Sequence, residues 1–168
     1  MTEWSVRFDR PATAAEPDLS PDQRTFVVGE SLGYLVNRAA RLMAGELAER
    51  IRPAGVGIGQ WAVLLVLWAR DGQTQSELAR SVAIEPPTMV RTIDRMERDG
   101  LVARRADPRD ARLTRIHLMD RGRDLRDRLV PEAVAVNEAV ASRLTPAEAR
   151  TLRRLLAKVV TAPPGPPS

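Results

Sequence analysis

The sequence predicts a mainly α-helical chain that includes one small β-hairpin. Apolar residues recur at helical spacing over most of its length, helix-start signals precede several of these stretches, and one pair of short alternating segments surrounds a polar turn. At 168 residues the chain is long enough for one good core and short for two independent ones. We therefore expect a single helical architecture to which the hairpin is attached.

The N-terminal part is predicted to be an arm followed by a long helix. Residues 1–19 are rich in Pro, Ala and acidic residues and show no sustained periodicity, which is typical of a flexible arm. Ser20, Pro21 and Gln23 match the N-cap, N1 and N3 positions of a helix start. Residues 20–56 are therefore assigned to an amphipathic helix. Its apolar stripe consists of Leu32, Val36, Ala39, Met43, Leu47 and Ile51.

A buried helix and two short helices are predicted next. Residues 60–70 are apolar nearly all round, as in a helix at the centre of a core. Thr74 and Glu77 stand three positions apart and match a capping box, which starts the first short helix. The second begins at Pro86, where proline loses no needed N–H group, and ends at Gly100, where a left-handed conformation is required.

A β-hairpin follows the second short helix. Residues 101–105 and 113–118 are predicted strands, and the polar residues 106–112 form the tip between them. Two short helices joined by a turn and followed by such a hairpin make a winged helix-turn-helix, in which the second helix enters the major groove of DNA. Residues 57–119 are therefore assigned to a DNA-binding region.

Two further helices are predicted over residues 120–161. Pro131 lies inside the first of them and is expected to kink or divide it. The second starts after Thr145, and Glu148 completes its capping box. The Pro-rich residues 162–168 are predicted to be a disordered tail. The apolar stripes of the two helices are Leu125, Leu129, Ala133, Val136 and Val140, then Leu152, Leu155, Leu156 and Val159.

The helices at both ends of the chain carry more apolar surface than a core of this size can cover. A stripe that remains after intramolecular packing is most simply buried against a second copy. A two-fold homodimer would also place two reading helices one turn of DNA apart, about 34–36 Å. We therefore interpret residues 20–56 and 120–161 as dimerisation helices.

Composition narrows the function classes. The net charge of +4 suits a polyanionic partner such as double-stranded DNA without proving one. The chain has no cysteine and a single histidine, His117, which excludes disulfides and thiolate metal sites and leaves Ser-His-Asp catalysis almost nothing to use. No apolar run approaches the ~20 residues that cross a bilayer, and the N-terminus lacks a signal-peptide pattern. We expect a cytoplasmic protein that is not an enzyme and has no cofactor, metal or membrane partner.

The second short helix has a face suited to reading bases. Met89, Ile93 and Met96 share one side and are expected to point inward, which turns Arg91 and Arg95 outward. Arg91 is the best candidate for a forked contact with guanine, and Arg95 for a phosphate contact. The alternative is that both arginines are solvated and paired with nearby acids (Asp94, Glu97, Asp99). The predicted DNA-binding residues are Ser76, Pro87, Thr88, Arg91, Thr92, Arg95, Arg109 and Arg112.

The tip of the wing is the second DNA-binding candidate. Arg109 follows Pro108 at a rigid apex, which suits insertion into a narrow minor groove. Asp107 and Asp110 are expected to brace Arg109 or Arg112 by salt bridges within the loop. The alternative is an ordinary polar hairpin turn.

Two tryptophans on the buried helix allow two interpretations. Trp61 and Trp68 are seven residues apart and lie on roughly the same side of that helix. They either pack in the core or form the aromatic wall of a small-molecule pocket. In the second case Asn37, Arg38 and Arg41 of the first helix would orient the ligand.

The motifs together resemble the MarR family of transcription regulators, and its SlyA-like branch most closely. The resemblance rests on Ser76–Arg80, on Pro87–Val102 and on Asp107–Arg112, which matches the D-x-R-D-x-R wing tip of the family. It extends from about residue 57 to residue 123. Gly57 and Met119 depart from the pattern, because they replace the usual capping residues before the buried helix and after the wing.

The resemblance implies an obligate homodimer that binds palindromic operators, usually as a repressor, and that small aromatic or phenolic effectors often release. It also implies that Arg91 and Arg109 contact the major and the minor groove. A second hypothesis is a winged-helix protein-interaction module that has lost DNA binding, against which the intact Arg91 and Arg109 argue.

Overall fold

The computed structural model describes residues 3–8 and 23–161, with side chains omitted for 3–5, 7 and 23–25. Its helices are α1 (Leu32–Ile51), α2 (Ile58–Ala69), α3 (Gln75–Ser81), α4 (Pro86–Arg98), α5 (Asp120–Ala141) and α6 (Pro146–Thr161). Its strands are β1 (Glu3–Arg7), β2 (Gln23–Val27), β3 (Gln73–Thr74), β4 (Val102–Ala106) and β5 (Thr114–Leu118). The chain forms two compact units that divide between Gly45 and Glu46.

The first unit contains a strand pair that the sequence did not predict. Strands β1 and β2 run parallel, and Glu3 pairs with Gln23 at one end and Arg7 with Val27 at the other. A short 3-10 turn leads from β2 into α1, and the Gly29 N–H donates to the Phe8 carbonyl at 2.8 Å. The ring of Phe8 meets that of Tyr34 edge to face, with the ring centres 5.8 Å apart. These contacts connect the strand pair to the start of α1.

Two predictions about the N-terminus are therefore wrong in part. The helix expected from Ser20 begins only at Leu32, because the run from Thr25 to Val27 is β-branched and aromatic and pairs as part of strand β2. Within the expected irregular arm, residues 3–7 are strand β1. Residues 9–22, and with them the proposed cap at Ser20, lie outside the described residues, as does the tail from 162 to 168.

The second unit is built around α2. Its side chains Val63, Leu64 and Leu67 are at most 1% exposed, which confirms the predicted buried helix. The predicted stripe on α1 divides in two: Leu47 and Ile51 belong to this core, whereas Leu32 and Val36 of the first unit are exposed. The other fully buried large side chains of the unit are Leu78, Met89, Ile93, Met96, Leu101, Val102 and Ile116.

The helix starts follow the local chemistry that the sequence indicates. Thr74 Oγ1 accepts from the Glu77 N–H at 3.2 Å, and the Glu77 carboxylate accepts from the Thr74 N–H at 2.8 Å, so the predicted capping box is present. Thr145 and Glu148 make the same exchange at α6. Hydrogen bonds from Thr74 and from Thr145 lower the pKa values of Glu77 and Glu148, respectively. Each carboxylate therefore helps to hold its helix N-terminus.

The end of α4 has the predicted geometry as well. Gly100 adopts a φ of 68°, in the left-handed region. The Leu101 N–H donates to the Met96 carbonyl at 2.9 Å and the Gly100 N–H to the Glu97 carbonyl at 3.1 Å, which is a Schellman turn. This turn sends the chain directly from α4 into the wing.

The wing belongs to a three-stranded sheet with the order β3–β5–β4. The hairpin β4–β5 is antiparallel and pairs Val102 with Leu118 and Ala106 with Thr114. The third strand, β3, was not predicted because two residues are too few to show a period. It pairs with β5 and joins the start of the helix-turn-helix to the wing.

Helix α5 runs unbroken from Asp120 to Ala141, so Pro131 does not divide it, and the kink that was the other expectation stays a prediction. Leu125 and Leu129 before the proline and Val136 after it are all buried, and this packing offsets the hydrogen bond that proline removes.

Gly57 caps α2 through its backbone, since its N–H donates to the Gln60 Oε1 atom at 2.9 Å.

No single described helix is long and apolar enough to cross a membrane. Only the bent succession of α1 and α2 reaches that length and composition, and five residues of α2 are buried in the core.

Gly122 provides a test of the packing between α5 and the wing. A methyl group there would lie 2.2 Å from the Leu101 carbonyl oxygen, so Gly122→Ala forces the two segments apart. We expect it to lower the free energy of unfolding by about 1–3 kcal/mol, measured by urea denaturation. Gly59→Ala is the control, because its methyl would meet nothing within 4 Å and alanine favours a helix. Equal losses in the two variants would contradict this close approach.

Candidate nucleic-acid interface

Helix α4 divides into a buried and an exposed side as predicted. Met89, Ile93 and Met96 are each 0% exposed, whereas Arg91 and Arg95 are exposed. The other residues of α3 and α4 that were predicted to contact DNA are exposed to different extents. Ser76 on α3 and Pro87 and Thr88 on α4 are exposed, and Thr92 is half-buried, with its hydroxyl donating to the Thr88 carbonyl at 2.9 Å.

The acids near the reading helix are engaged with other groups. Arg104 of β4 binds both Asp94 and Glu97, and the Gln60 Nε2 atom donates to the Asp99 carboxylate at 2.7 Å. Over residues 3–8 and 23–161, no carboxylate forms an ion pair with Arg91 or Arg95. The expected pairing with neighbouring acids is therefore wrong, whereas both arginines are exposed to solvent, and their contact with DNA stays a prediction.

The wing tip is organised by a buried carboxylate. Asp107 is only 6% exposed and accepts from the Arg109 N–H at 2.7 Å and from the Asp110 N–H at 3.3 Å. It also forms an ion pair with Arg115 of β5. The Arg109 N–H, followed by the Arg115 side chain, holds the pKa of Asp107 below its ordinary value. The backbone of the tip is fixed in this way while the Arg109 side chain stays exposed.

These contacts correct the predicted bracing of the loop. Asp107 binds the backbone of Arg109 and the side chain of Arg115, and Asp110 accepts from the Arg112 N–H at 3.0 Å, so neither acid pairs with the guanidinium of Arg109 or Arg112. The reason is the hairpin register, which brings Arg115 to the buried carboxylate. The tip is thus more constrained than an ordinary polar turn.

Sequence reasoning missed three polar residues that join the wing to the rest of the unit. Arg115 Nη1 donates to the Gly72 carbonyl at 2.8 Å, and Asp71 Oδ1 accepts from the Leu118 N–H at 2.9 Å. Arg104 is the third. The only available signal was an excess of charge within predicted strands. His117 of β5 is half-buried, with its Nδ1 atom 3.5 Å from Asp71 Oδ2.

The two tryptophans of α2 take part in the core. Trp61 is 6% exposed and meets Trp68 edge to face, with ring centres 5.6 Å apart. The indole N–H of Trp68 donates to the Gly122 carbonyl at 2.8 Å. Both rings therefore stabilise the packing of α2.

The remaining residues of the predicted pocket lie on α1 in the first unit. Asn37, Arg38 and Arg41 are exposed there, and Arg38 Nη1 donates to the Tyr34 hydroxyl at 2.8 Å. The pocket itself stays a prediction. Among the described residues, no group of three or more His, Cys, Asp or Glu side chains could hold a metal ion.

Comparison with known proteins identifies the family. The MarR family profile matches residues 58–114, from the start of α2 to the start of β5. An HTH-type transcriptional repressor of Mycobacterium tuberculosis is 30% identical over 128 residues, which cover 76% of this chain and 92% of the repressor.

Two solved structures share the fold closely. The repressor CouR, bound to a 23-mer DNA duplex, is 28% identical with a TM-score of 0.73, over 79% of this chain and 94% of CouR. BpsR of Bordetella bronchiseptica, described with regulation of its DNA binding by 6-hydroxynicotinic acid, is 26% identical with a TM-score of 0.75, over 82% and 99% of the two chains. The winged helix-turn-helix, the match to the family profile and these relatives together show that the chain belongs to the MarR family of transcription regulators.

Proposed function

We propose that the protein is a repressor that binds palindromic operators as a homodimer and that a small aromatic effector releases. The observation that supports DNA binding most directly is the exposed face of α4. Among the described residues no acid forms an ion pair with Arg91 or Arg95 on this face, and the tip of the neighbouring wing exposes Arg109. The relatives described as transcriptional repressors and the DNA-bound CouR support the same conclusion. We also propose a cytoplasmic location, because that is where a bacterial regulator meets its operator. The resemblance in Pro87–Val102 favours the SlyA-like branch.

We propose different tasks for the helix and the wing. Helix α4 enters the major groove, where the guanidinium of Arg91 forks onto the O6 and N7 atoms of a guanine. Arg95 contacts a phosphate and fixes the register without reading sequence, and Thr88 contacts either a phosphate or the methyl group of a thymine. Arg109 inserts into the adjacent minor groove from the rigid tip. Ser76, Pro87, Thr92 and Arg112 complete the contacts at the edges of this surface.

Homodimerisation is supported by apolar surface that a single chain leaves open. Helix α6 exposes five large apolar side chains, and only Ala149 of this helix is buried. The start of α1 exposes Leu32, Leu35 and Val36. Such faces are expected at an interface between copies, because an isolated amphipathic helix gains its stability from packing. The exposed large apolar residues of α6 are Leu152, Leu155, Leu156, Val159 and Val160.

The second candidate function, a winged-helix protein-interaction module without DNA binding, is separated from the first by a gel shift on genomic fragments. A DNA-binding regulator retains a reproducible subset of fragments at physiological salt, and sequencing them yields the operator. An interaction module retains none above background.

Arg91 is the test of base reading. If Arg91 forks onto a guanine, Arg91→Ala costs about 1–3 kcal/mol of operator affinity and relaxes the preference at one base position in each half-site. Arg95→Ala, the matched control one turn away, weakens all sequences similarly and lowers the salt slope by about one. Fluorescence anisotropy with operator variants measures both. An equal loss on operator and scrambled DNA for Arg91→Ala argues against the assignment.

The stability that Asp107 gives to the fold should depend on pH. Because its pKa is lowered in the folded protein, the ionised carboxylate stabilises the fold at neutral pH, and this contribution is lost as the pH falls from its ordinary pKa of about 3.9 through the lowered value. We expect Asp107→Asn to destabilise the protein at pH 7 and the difference from wild type to shrink below about pH 4. Urea denaturation as a function of pH measures this difference. Asp110→Asn, whose carboxylate is exposed, should show a smaller one.

Dimerisation is tested on α6. Leu155→Glu places a charge in the exposed apolar face and should yield monomers with little operator affinity at micromolar concentration, as measured by analytical ultracentrifugation. Arg154→Glu changes a neighbouring residue outside that face and should leave a dimer. A wild-type monomer that still binds the operator tightly would refute the homodimer.

Effector release is tested by titration. Salicylate-like compounds should quench or shift tryptophan fluorescence and release the operator over the same concentration range, because an effector acts only through its different affinities for the two states. Trp61→Phe and Arg41→Ala should weaken both responses. If the variants respond like wild type, the effector binds elsewhere; if no compound acts, this chemical class is wrong.

A further inference from the structure

Two acids on α4 have no role in the proposed contacts with DNA. Asp94 and Glu97 lie on the same helix as Arg91 and Arg95, where negative charge opposes the approach of phosphates. An unmasked pair of carboxylates at this position would weaken the attraction that the arginines provide. The structure masks both with one residue of the wing.

That residue is Arg104, the third residue of β4. Its Nη2 atom donates to Asp94 Oδ1 at 2.7 Å, and its Nη1 atom donates to Glu97 Oε2. The backbone N–H of Arg104 also donates to Glu97 Oε1 at 2.9 Å. A single guanidinium thus spans two carboxylates one turn apart, and Glu97 binds the strand through both its oxygens. The Arg104 side chain is 28% exposed, so solvent weakens these bonds only in part.

The contacts of Arg104 with Asp94 and Glu97 lie where they can determine the direction of the wing. The chain turns sharply at Gly100, and the cluster of Asp94, Glu97 and Arg104 ties α4 to the strand immediately after the turn. Strand β4 then runs outward to Ala106, and Arg109 follows at the tip. The direction in which β4 leaves α4 therefore sets the distance between Arg91 and Arg109.

We propose that Arg104 is a positioning residue for DNA binding, which fixes the wing relative to the reading helix and masks Asp94 and Glu97. This inference rests on the proposed function, because it concerns how Arg91 and Arg109 reach two grooves together. Lysine is a poor substitute, since a single ammonium group lacks the planar fork that reaches both carboxylates while the backbone bond is kept.

The first measurement uses the free protein and does not depend on DNA. Arg104→Met keeps much of the side-chain volume and removes the charge, and it should speed amide hydrogen exchange in residues 102–118. Arg105→Met is the matched control, because Arg105 lies next in the same strand and is exposed. Thermal melting confirms that each variant is folded, and Arg104→Lys replaces Arg104→Met if the latter is not. Unchanged exchange in the folded variant overturns the proposal.

The second measurement is a double-mutant cycle with operator DNA. Arg104→Met should lower affinity by about tenfold or more, a loss of at least 1.4 kcal/mol. Arg109→Ala should then cost much less in the Arg104→Met background than in wild type, because the loosened tip no longer sits at the spacing of the groove. An equal cost in both backgrounds overturns the positioning role.

A charge-neutral variant separates positioning from masking. Combining Arg104→Met with Asp94→Asn and Glu97→Gln removes the exposed carboxylates while the connection stays broken. We expect part of the affinity to return and the coupling to Arg109 to stay lost; full recovery of both would reduce Arg104 to a charge mask and overturn its positioning role. If Arg109→Ala has no effect even in wild type, the proposed minor-groove contact fails, and with it the positioning role, whereas the exchange measurement still shows whether the connection exists.

Discussion

The buried side of α4 is the constraint on which the DNA-binding face depends. Met89, Ile93 and Met96 are fully excluded from solvent, and together they fix the rotation of the helix about its axis. A helix whose rotation is fixed in this way must present Arg91 and Arg95 on the opposite side. Close packing makes this orientation stiff, since a rotated helix would open cavities in the core. The chemistry of the exposed face is thus determined by apolar contacts on the hidden one.

Charge placement matters more in this protein than net charge. The chain carries only four more basic than acidic residues, and the DNA-binding region contains many acids. The structure engages several of those acids internally: Asp107 holds the wing tip, Asp94 and Glu97 bind Arg104, and Asp99 binds Gln60. Arginines that lack such partners are left to face outward. A modest surplus of positive charge is in this way concentrated where a polyanion would dock.

The wing is held at three places, which explains how a short hairpin can position one arginine. Strand β3 and the Arg115 bond to Gly72 fix β5, Asp107 fixes the tip, and Arg104 ties β4 to α4. Isolated two-stranded hairpins are marginal in water, so these connections are what make the tip rigid. The close approach of α5 at Gly122 adds the link through which the helices beyond the wing are joined to it.

The sequence by itself determined the elements whose causes are local. Capping at Thr74 and Thr145, proline at the start of α4, the left-handed Gly100 and the apolar period of α2 and α4 each act within a few residues, so they are visible without a structure. The inward and outward faces of α4, and hence the exposed Arg91, followed from the same periodicity.

Only the tertiary structure decided what depends on residues far apart in the chain. Strand β2 replaced a helix start because its partner β1 lies twenty residues earlier, and β3 exists because β5 lies beside it. The partners of Asp107, Asp94 and Glu97 could not be assigned from spacing, because strand register brings Arg115 and Arg104 to them. Pro131 is accommodated because packing on both sides of it offsets a local defect. Pairing and packing across the fold override local preference wherever they contribute more free energy.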